Sequence, residues 1–132
     1  MNFSKYNAKD WTIMVNGVYI TSLGEDMFDA DKDEEYFSTS VGAKGDIVKS
    51  EINNSLGTIT LTVQTTSPQY PFLLSLAKVS DPFPIWCLNK SLGRKVGGTM
   101  ANLKKDPEES HGSEAEDVEF EFQVYDYVDT VA

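Results

Sequence analysis

The stretch Thr58-Ile59-Thr60-Leu61-Thr62-Val63-Gln64 alternates strictly between polar and apolar residues. A period of two is typical of a β-strand, so we expect its apolar side chains on one face and its polar side chains on the other. A second run near the end of the chain has the same period, with Val118, Phe120, Phe122 and Val124 alternating with Glu119, Glu121, Gln123 and Tyr125. Both strands are therefore expected to cover a hydrophobic core with one face and to leave the other face polar.

Upstream of this stretch the sequence predicts two pairs of strands. Asn16-Gly17 separates the β-prone runs 11–15 and 18–23, and an Asn-Gly pair between such runs is a strong hairpin signal. Residues 36–41 and 46–52 flank Gly42-Ala43-Lys44-Gly45, which is typical of a turn. We expect these strands to continue into the next ones as a meander.

Downstream, the sequence predicts one helix and a further pair of strands. Ser67-Pro68 is typical of a helix N-terminus, and apolar residues then recur at helical spacing as far as Val79. Pro82 and Pro84 end the helix, because proline cannot continue its hydrogen bonds. Residues 85–89 and 95–103 are expected to be strands around Ser91-Leu92-Gly93, with Gly97-Gly98 as a bend or bulge.

These elements predict a mainly β fold, a barrel or sandwich of antiparallel strands with one packed α-helix at about residues 68–79, which is α+β by strict counting. A chain of 132 residues is expected to form a single domain over residues 1–132. That domain would carry an N-terminal arm at 1–10 and two acidic loops. One is a hairpin loop at 25–35, where seven carboxylates accompany one lysine, and the other lies at 104–117.

The charge balance argues against direct DNA binding. Eleven basic residues against 21 acidic residues give a formal net charge of −10, and such a field repels phosphate. The densest basic cluster lacks the interleaved aromatic residues of a single-strand binder. It consists of Lys90, Arg94, Lys95, Lys104 and Lys105.

Cysteine usage and hydropathy bound the compartment. Cys87 is the single cysteine, so no intrachain disulfide is expected, and its apolar neighbours Trp86 and Leu88 favour a buried, unreactive thiol. The first residues lack the apolar segment of a signal peptide, and no run approaches the length of a membrane span. We expect no membrane insertion, and synthesis and assembly in a cytoplasm.

The sequence offers no catalytic or metal-binding constellation. Asp29-x-Asp31-x-Asp33 resembles the start of a calcium loop, but Glu34 and Ser40 occupy the places of the required glycine and glutamate. His111 is the single histidine and lies in an acidic, turn-rich stretch, where a surface position is expected. The acid pair Glu119 and Glu121 has no pocket signal beside it. We expect no enzymatic activity, no metal and no cofactor.

Four stretches of the chain carry a further signal. They are Lys5-Tyr6-Asn7-Ala8-Lys9-Asp10 before the first hairpin, Asp33-Glu34-Glu35-Tyr36-Phe37, Val41-Gly42-Ala43-Lys44-Gly45 and, above all, Ser55-Leu56-Gly57-Thr58-Ile59-Thr60-Leu61-Thr62-Val63-Gln64-Thr65-Thr66-Ser67-Pro68. In these stretches the chain resembles the tail tube, or tail core, proteins of tailed bacteriophages. The resemblance implies a structural protein of the virion tail, assembled in the host cytoplasm. Its hexameric rings would stack into a hollow tube that conducts DNA into the host.

The same resemblance implies partners and surfaces. The partners would be other copies of the chain and other tail proteins, including a sheath, a tape measure, a baseplate and a terminator, while DNA would pass without specific binding. Side chains that do not grip phosphate suit a lumen, so the candidates for the lumen are Thr58, Thr60, Thr62, Gln64, Glu119, Glu121 and Gln123. The candidates for contacts between rings are Glu25, Asp26, Asp29, Asp31, Asp33, Glu34 and Glu35, together with the N-terminal arm and the C-terminal tail from Asp126.

Three alternatives stay open. The first is a different ring-forming tail component, such as a terminator or completion protein, which would share the sheet but form a single ring. The second is a monomeric ligand-binding β-barrel. The third is a hydrolase that uses the acidic pairs, although nothing in the sequence positions or perturbs those carboxylates.

Overall fold

A computed structural model describes residues 11–21, 23–107 and 117–131 of the chain. It contains ten strands and one short α-helix, followed by a 3-10 turn at Leu76–Lys78. The strands are β1 (Trp11–Val15), β2 (Val18–Tyr19), β3 (Leu23–Lys32), β4 (Phe37–Val41), β5 (Ile47–Glu51), β6 (Gly57–Gln64), β7 (Phe83–Asn89), β8 (Arg94–Leu103), β9 (Asp117–Val124) and β10 (Val128–Val131), and the helix is α1 (Tyr70–Ser75).

Eight strands form one antiparallel sheet in the order β2-β1-β7-β8-β9-β6-β3, with β10 added to β8. Each neighbouring pair in this sheet is antiparallel. The expectation of a mainly β fold with one helix is confirmed. The sheet is not a closed barrel, because no ladder joins the described residues of β2 and β3 at its two ends.

The sheet folds over a single core. Strands β1 and β7 contribute Ile13, Val15, Ile85 and Cys87, and strands β6 and β9 contribute the alternating apolar residues recognised in the sequence. Every one of Ile59, Leu61, Val63, Phe120 and Phe122 is fully buried. Edge-to-face aromatic contacts connect the two halves and the helix, with ring centroids 6.1 Å apart for Phe83 and Phe122 and 5.8 Å apart for Tyr70 and Phe120.

The first hairpin forms at the expected place. Asn16 and Gly17 have φ values of 50° and 81°, the two positive angles that a tight β1–β2 turn requires and that an Asn-Gly pair tolerates. The ring of Trp11 contacts Phe28 at a centroid distance of 5.0 Å, so β1 approaches the far edge strand β3 although the two are not paired.

The helix is shorter than expected and begins later. It spans Tyr70–Ser75 instead of residues 68–79, and Pro71, not Pro68, lies in its first turn. The reason is the buried Ser67, whose hydroxyl donates to the carbonyl of Thr21 at 2.9 Å and whose own carbonyl accepts from the amide of Tyr70 at 3.1 Å. These bonds close a turn before the helix, which then buries Leu73 and, just beyond its end, Leu76.

The prediction of an acidic hairpin loop at 25–35 is wrong, because most of this segment belongs to strand β3. Phe28 pairs with Leu61 and Ala30 with Ile59, and both partly buried side chains pack against the core. Asp29 and Asp31 alternate with them and are exposed. The many carboxylates made this segment look like a loop, because only Phe28 and Ala30 supply the apolar positions of its strand alternation. The strand also contains an irregularity between Leu23 and Phe28.

Strands β4 and β5 form the expected pair around the turn at 42–45, but they do not join the main sheet. The pair is a separate two-stranded hairpin, and every residue of both strands is exposed. We call residues 33–56, which leave β3 and return to β6, the projecting hairpin segment.

The expected C-terminal tail from Asp126 is also a strand in part, since β10 pairs with the first half of β8 while β9 pairs with its second half. Between them, Asp126 accepts bonds from the amides of Thr99 (3.1 Å) and Met100 (3.0 Å) and from the Thr99 hydroxyl. These amides lie where β8 carries an extra residue against β7, so the bulge expected near Gly97-Gly98 is confirmed. Burial acts to raise the pKa of Asp126, but the hydrogen bonds outweigh it and the pKa is lowered.

The N-terminal arm at 1–10 and most of the acidic loop at 104–117, with His111, lie outside the described residues. In the part of the chain that the structure describes, no helix has the length and hydropathy needed to cross a membrane. Cys87 is a buried free thiol whose pKa is raised to about 12 by desolvation, as its neighbours in the sequence suggested.

Candidate functional site

The outward face of β3, β6 and β9 is a continuous polar surface, which we call the polar face. Residues paired directly across strands share a face, so the registers define rows across the sheet. One row is Asp31, Thr58 and Gln123, and the next is Asp29, Thr60 and Glu121. Two shorter rows pair Thr62 with Glu119 and Gln64 with Asp117.

All seven residues proposed for the lumen therefore lie on one face, as the alternation indicated. The structure adds Asp29 and Asp31 to this face, although sequence reasoning had assigned them to a different surface, the contacts between rings. Their acidic neighbours Glu34 and Glu35 are exposed between β3 and β4. Glu25 and Asp26 lie in the irregular first half of β3, and their side chains are outside the described part.

Asp33 fastens the projecting hairpin segment to the polar face. Its Oδ1 accepts a hydrogen bond from the Thr58 hydroxyl at 2.7 Å, and its Oδ2 accepts one from Nε2 of Gln123 at 3.0 Å. Gln123 also donates to the carbonyl of Gly57 at 2.8 Å. The bonds from Gln123 and Thr58 hold the pKa of Asp33 below its usual value. The sequence suggested Asp33 as a contact between rings. In the structure its hydrogen bonds instead attach the hairpin segment to the polar face.

Lys104 brings a positive charge to the polar face. Its Nζ lies 3.2 Å from Oε1 of Glu121 and 3.3 Å from the hydroxyl of Thr58. The side chains of Lys104 and Glu121 are 33% and 40% exposed. Solvent therefore screens the ion pair, which adds little stability. The ion pair changes the charge of the polar face. Lys104 neutralises Glu121 locally, while Asp29, Asp31 and Glu119 are exposed carboxylates.

A shallow groove of about 470 Å³ lies on this face. Thr60, Thr62, Glu119 and Glu121 form its floor, and residues 105–107 with Asp117 form its walls. In the described residues no group of three potential ligands is placed to hold a metal ion, so Asp29, Asp31 and Asp33 do not converge on one point. The groove offers hydroxyls and carboxylates along a strand and lacks the enclosed apolar lining of a small-molecule pocket.

The outward face of the other half of the sheet contains a row of large apolar residues. Pairing places Tyr19, Met14, Trp86, Gly97 and Val128 in one row across β2, β1, β7, β8 and β10. Tyr19 is 61% exposed and Val128 40% exposed. We call Met14, Tyr19, Trp86 and Val128 the apolar row. The Lys95 ammonium lies over the Trp86 ring, 4.0 Å from its centroid. Sequence reasoning missed this surface, because its residues come from three distant parts of the chain, namely the β1–β2 hairpin, β7 and β10.

Comparisons with known proteins give a likeness of fold. Neither the family models nor the curated proteins compared with the sequence include a match. Among solved structures, the chain is similar to the sheath/tube terminator of the PVC extracellular contractile injection system, with a TM-score of 0.66 and 9% identity over 97% of this chain and 98% of that one. It is also similar to the tube-terminating cap of the anti-feeding prophage, with a TM-score of 0.62 and 9% identity over 100% and 95% of the two chains. The shared fold thus runs the length of both structures.

Proposed function

We propose that the chain is a structural ring component that ends the tube of a phage tail or tail-like particle, as a terminator or cap. The observation that carries this proposal is the fold shared over nearly the full length with two proteins that terminate tubes. The proposal follows the first alternative of the sequence analysis and replaces the repeating tube subunit as the leading hypothesis.

The polar face supports a position around a channel. A lumen must let charged cargo slide, and phosphate is held by clustered lysine and arginine. Here the face carries hydroxyls, amides and carboxylates, and of the two lysines beside it, Lys104 and Lys105, the first is paired with Glu121. Asp29 and Asp31 strengthen the negative character of this surface beyond what the seven original candidates supplied. The polar face is therefore our lumen surface.

The rest of the proposal concerns assembly. The chain would form a homo-oligomeric, hexameric ring and contact the tube on one side, with a sheath, tape measure and baseplate belonging to the same particle. It would be made in the host cytoplasm and end in the virion tail, without membrane insertion, metal or cofactor. We propose no enzymatic activity, since the carboxylates of the polar face lie along strands and are not gathered around an enclosed pocket.

Negative-stain electron microscopy of the purified protein across a concentration series tests this function. We expect single rings of constant height at every concentration, because a terminator must stop growth. Tubes that lengthen with concentration would instead establish the repeating tube subunit. Monomers at every concentration would contradict both candidates.

The tube subunit is the second candidate, and one observation favours it. The sequence features shared with tail tube proteins run through residues 33–68, which the structure places in the projecting hairpin segment and β6. The height of the assemblies in the same images separates the two candidates.

A further inference from the structure

The projecting hairpin has one face that carries three large apolar side chains among polar ones. In the β4–β5 register Phe37 lies opposite Glu51, Thr39 opposite Lys49, and Val41 opposite Ile47, so these six residues share one face. We call Phe37, Val41 and Ile47 the apolar face of the hairpin. The opposite face carries Ser38, Ser40, Ser50 and Val48.

On this face Lys49 lies over the Phe37 ring, with its Nζ 4.7 Å from the centroid, while Val41 and Ile47 are largely uncovered in the described part of the chain. Phe37 is 45% exposed, Val41 69% and Ile47 71%. An aromatic side chain covers about 150–250 Å² and Val and Ile cover less, so these fractions amount to roughly 200–300 Å² of exposed apolar surface. One partner of a standard interface buries roughly 800 Å², of which about 56% is apolar, so the hairpin supplies about half of one partner's apolar share. A two-stranded hairpin without a covered face is marginally stable, which also favours a bound state.

We propose that the apolar face of the hairpin packs on the apolar row of a second copy of this chain. Val41 and Ile47 of the hairpin and Tyr19 and Val128 of the apolar row are all exposed in one chain, so the two surfaces do not cover each other within it. A heterologous interface requires two different surfaces on the same molecule, and repeated around an axis it closes a ring. Two sheet faces packed in this way lie about 10 Å apart, with the exposed Tyr19 and Val128 opposite Val41 and Ile47.

The contact leaves the polar face free. The apolar row lies on β1, β2, β7 and β10, while the polar face lies on β3, β6 and β9, in the other half of the sheet. Asp33 anchors the root of the hairpin segment to Thr58 and Gln123, which directs the hairpin from that edge. The inference rests on the proposed function only for the shape of the assembly, because the contact itself requires no tube.

Paired substitutions on the two faces of the hairpin test the donor side. Val41→Asp with Ile47→Asp should abolish the oligomer and leave a species with the mass of one chain in light scattering after gel filtration. Ser38→Asp with Ser50→Asp places the same charges on the opposite face and should leave the oligomer intact. Circular dichroism checks that both variants are folded. Equal loss of the oligomer in both variants, or in neither, would overturn the proposal.

Disulfide trapping between different molecules tests the acceptor side. Ile47→Cys and Tyr19→Cys, prepared separately and mixed under mild oxidation, should give a cross-linked dimer, while Ser50→Cys mixed with Tyr19→Cys should not. The native Cys87 is buried and does not interfere. An oligomer that forms without this cross-link would place the hairpin on another surface and overturn the pairing.

Other occupants give different results. A monomeric wild-type protein whose hairpin amides resist hydrogen exchange until residues 1–10 are deleted would assign the apolar face to the chain's own N-terminal segment. A monomeric protein with unprotected hairpin amides would exclude a second copy. The proposed function fails separately: cross-linked rings that stack into growing tubes would confirm the hairpin contact and contradict the terminator.

Discussion

Asp33 and Gln123 are 90 positions apart in the sequence, and their side chains are joined by a hydrogen bond of 3.0 Å. The bond connects the root of the projecting hairpin segment to strand β9, and the bond from Thr58 to the same carboxylate connects it to β6. Asp33, which directly follows β3, thus connects this strand to β6 and β9 through one exposed carboxylate, and the charge of that carboxylate has measurable consequences.

Asp33→Asn should reduce stability at neutral pH and change its pH dependence. The pKa of Asp33 is lowered from its usual 3.8 in the folded state, chiefly by the bond from Gln123. A lowered pKa stabilises the fold above the unfolded value, and this contribution is lost as the pH falls through the folded value. Because the carboxylate is well solvated, we expect less than about 1 kcal/mol. Urea unfolding from pH 7 to pH 3 should show the variant and wild type converging at low pH.

The control is Asp29→Asn, because Asp29 lies on the same face and has no described hydrogen bond to its carboxylate. An equal loss of stability in this variant would exclude Asp33 as an anchor.

Asp126→Ala should destabilise the fold by about 0.5–1.5 kcal/mol, because it removes the acceptor of the amides of Thr99 and Met100 at the exposed bulge of β8. Thr99→Val removes the hydroxyl bond to the same carboxylate but keeps both amide bonds, so it should cost less. Thermal or urea denaturation checks both. A loss no larger than that of Thr99→Val would show that water replaces the carboxylate at this site.

Gly57→Ala should be destabilising by about 1–3 kcal/mol, since a Cβ at this position would lie 2.2 Å from Cγ of Tyr127. The ring is partly buried and packs against the core, so it cannot move away without a cost. Tyr127→Ala alone should also destabilise, and the double variant should lose less than the sum of the two. A double-mutant cycle by urea unfolding measures this coupling, and strict additivity would contradict the close contact.

Thr60→Lys combined with Glu119→Lys should permit ring assembly but impede the passage of DNA, because two added cations would hold phosphate in the lumen. The pair Thr60 and Glu121 serves less well, since Glu121 already interacts with Lys104. Rings are counted by electron microscopy, and DNA release is measured in particles that carry the variant. Thr60→Ser with Glu119→Gln is the uncharged control. Normal release by the lysine variant would remove the polar face from the lumen.

Cys87 should be inert in the folded protein. The thiol is fully buried, and its desolvation raises the pKa to about 12, so almost no thiolate is present at pH 8. A chromogenic thiol reagent should therefore react only after denaturant is added, at the rate of unfolding. Rapid labelling of the native protein at pH 8 would show that the core between β1, β7 and β8 opens locally.

Local patterns were sufficient for several elements. The period of two in 58–64 and 118–124 predicted β6 and β9 with the correct inward residues, because alternation is a property of each strand alone. Asn16-Gly17 likewise predicted its turn, since positive φ angles are a local requirement. The part of the polar face that β6 and β9 form was therefore predictable from the sequence.

The segments that failed depend on partners distant in the chain. Residues 25–32 are acidic enough to suggest a loop, and only pairing with β6, through Phe28 and Ala30, makes them a strand. The helix began late because Ser67 bonds to Thr21, a contact that no local propensity contains. Secondary-structure propensity and hydrophobic periodicity depend on a few neighbouring residues. Strand register depends instead on which face of each strand is buried against the rest of the protein.

From the sequence alone came the alternating strands with one polar face each and the presence of one helix, because these follow from the spacing of apolar and polar residues. The tertiary structure alone decided that Asp29 and Asp31 join the threonines of β6, that Tyr19, Met14, Trp86 and Val128 form one row, and that the β4–β5 hairpin stands outside the sheet. Strand order brings residues from opposite ends of the chain side by side, and that order is set by which faces can be buried together.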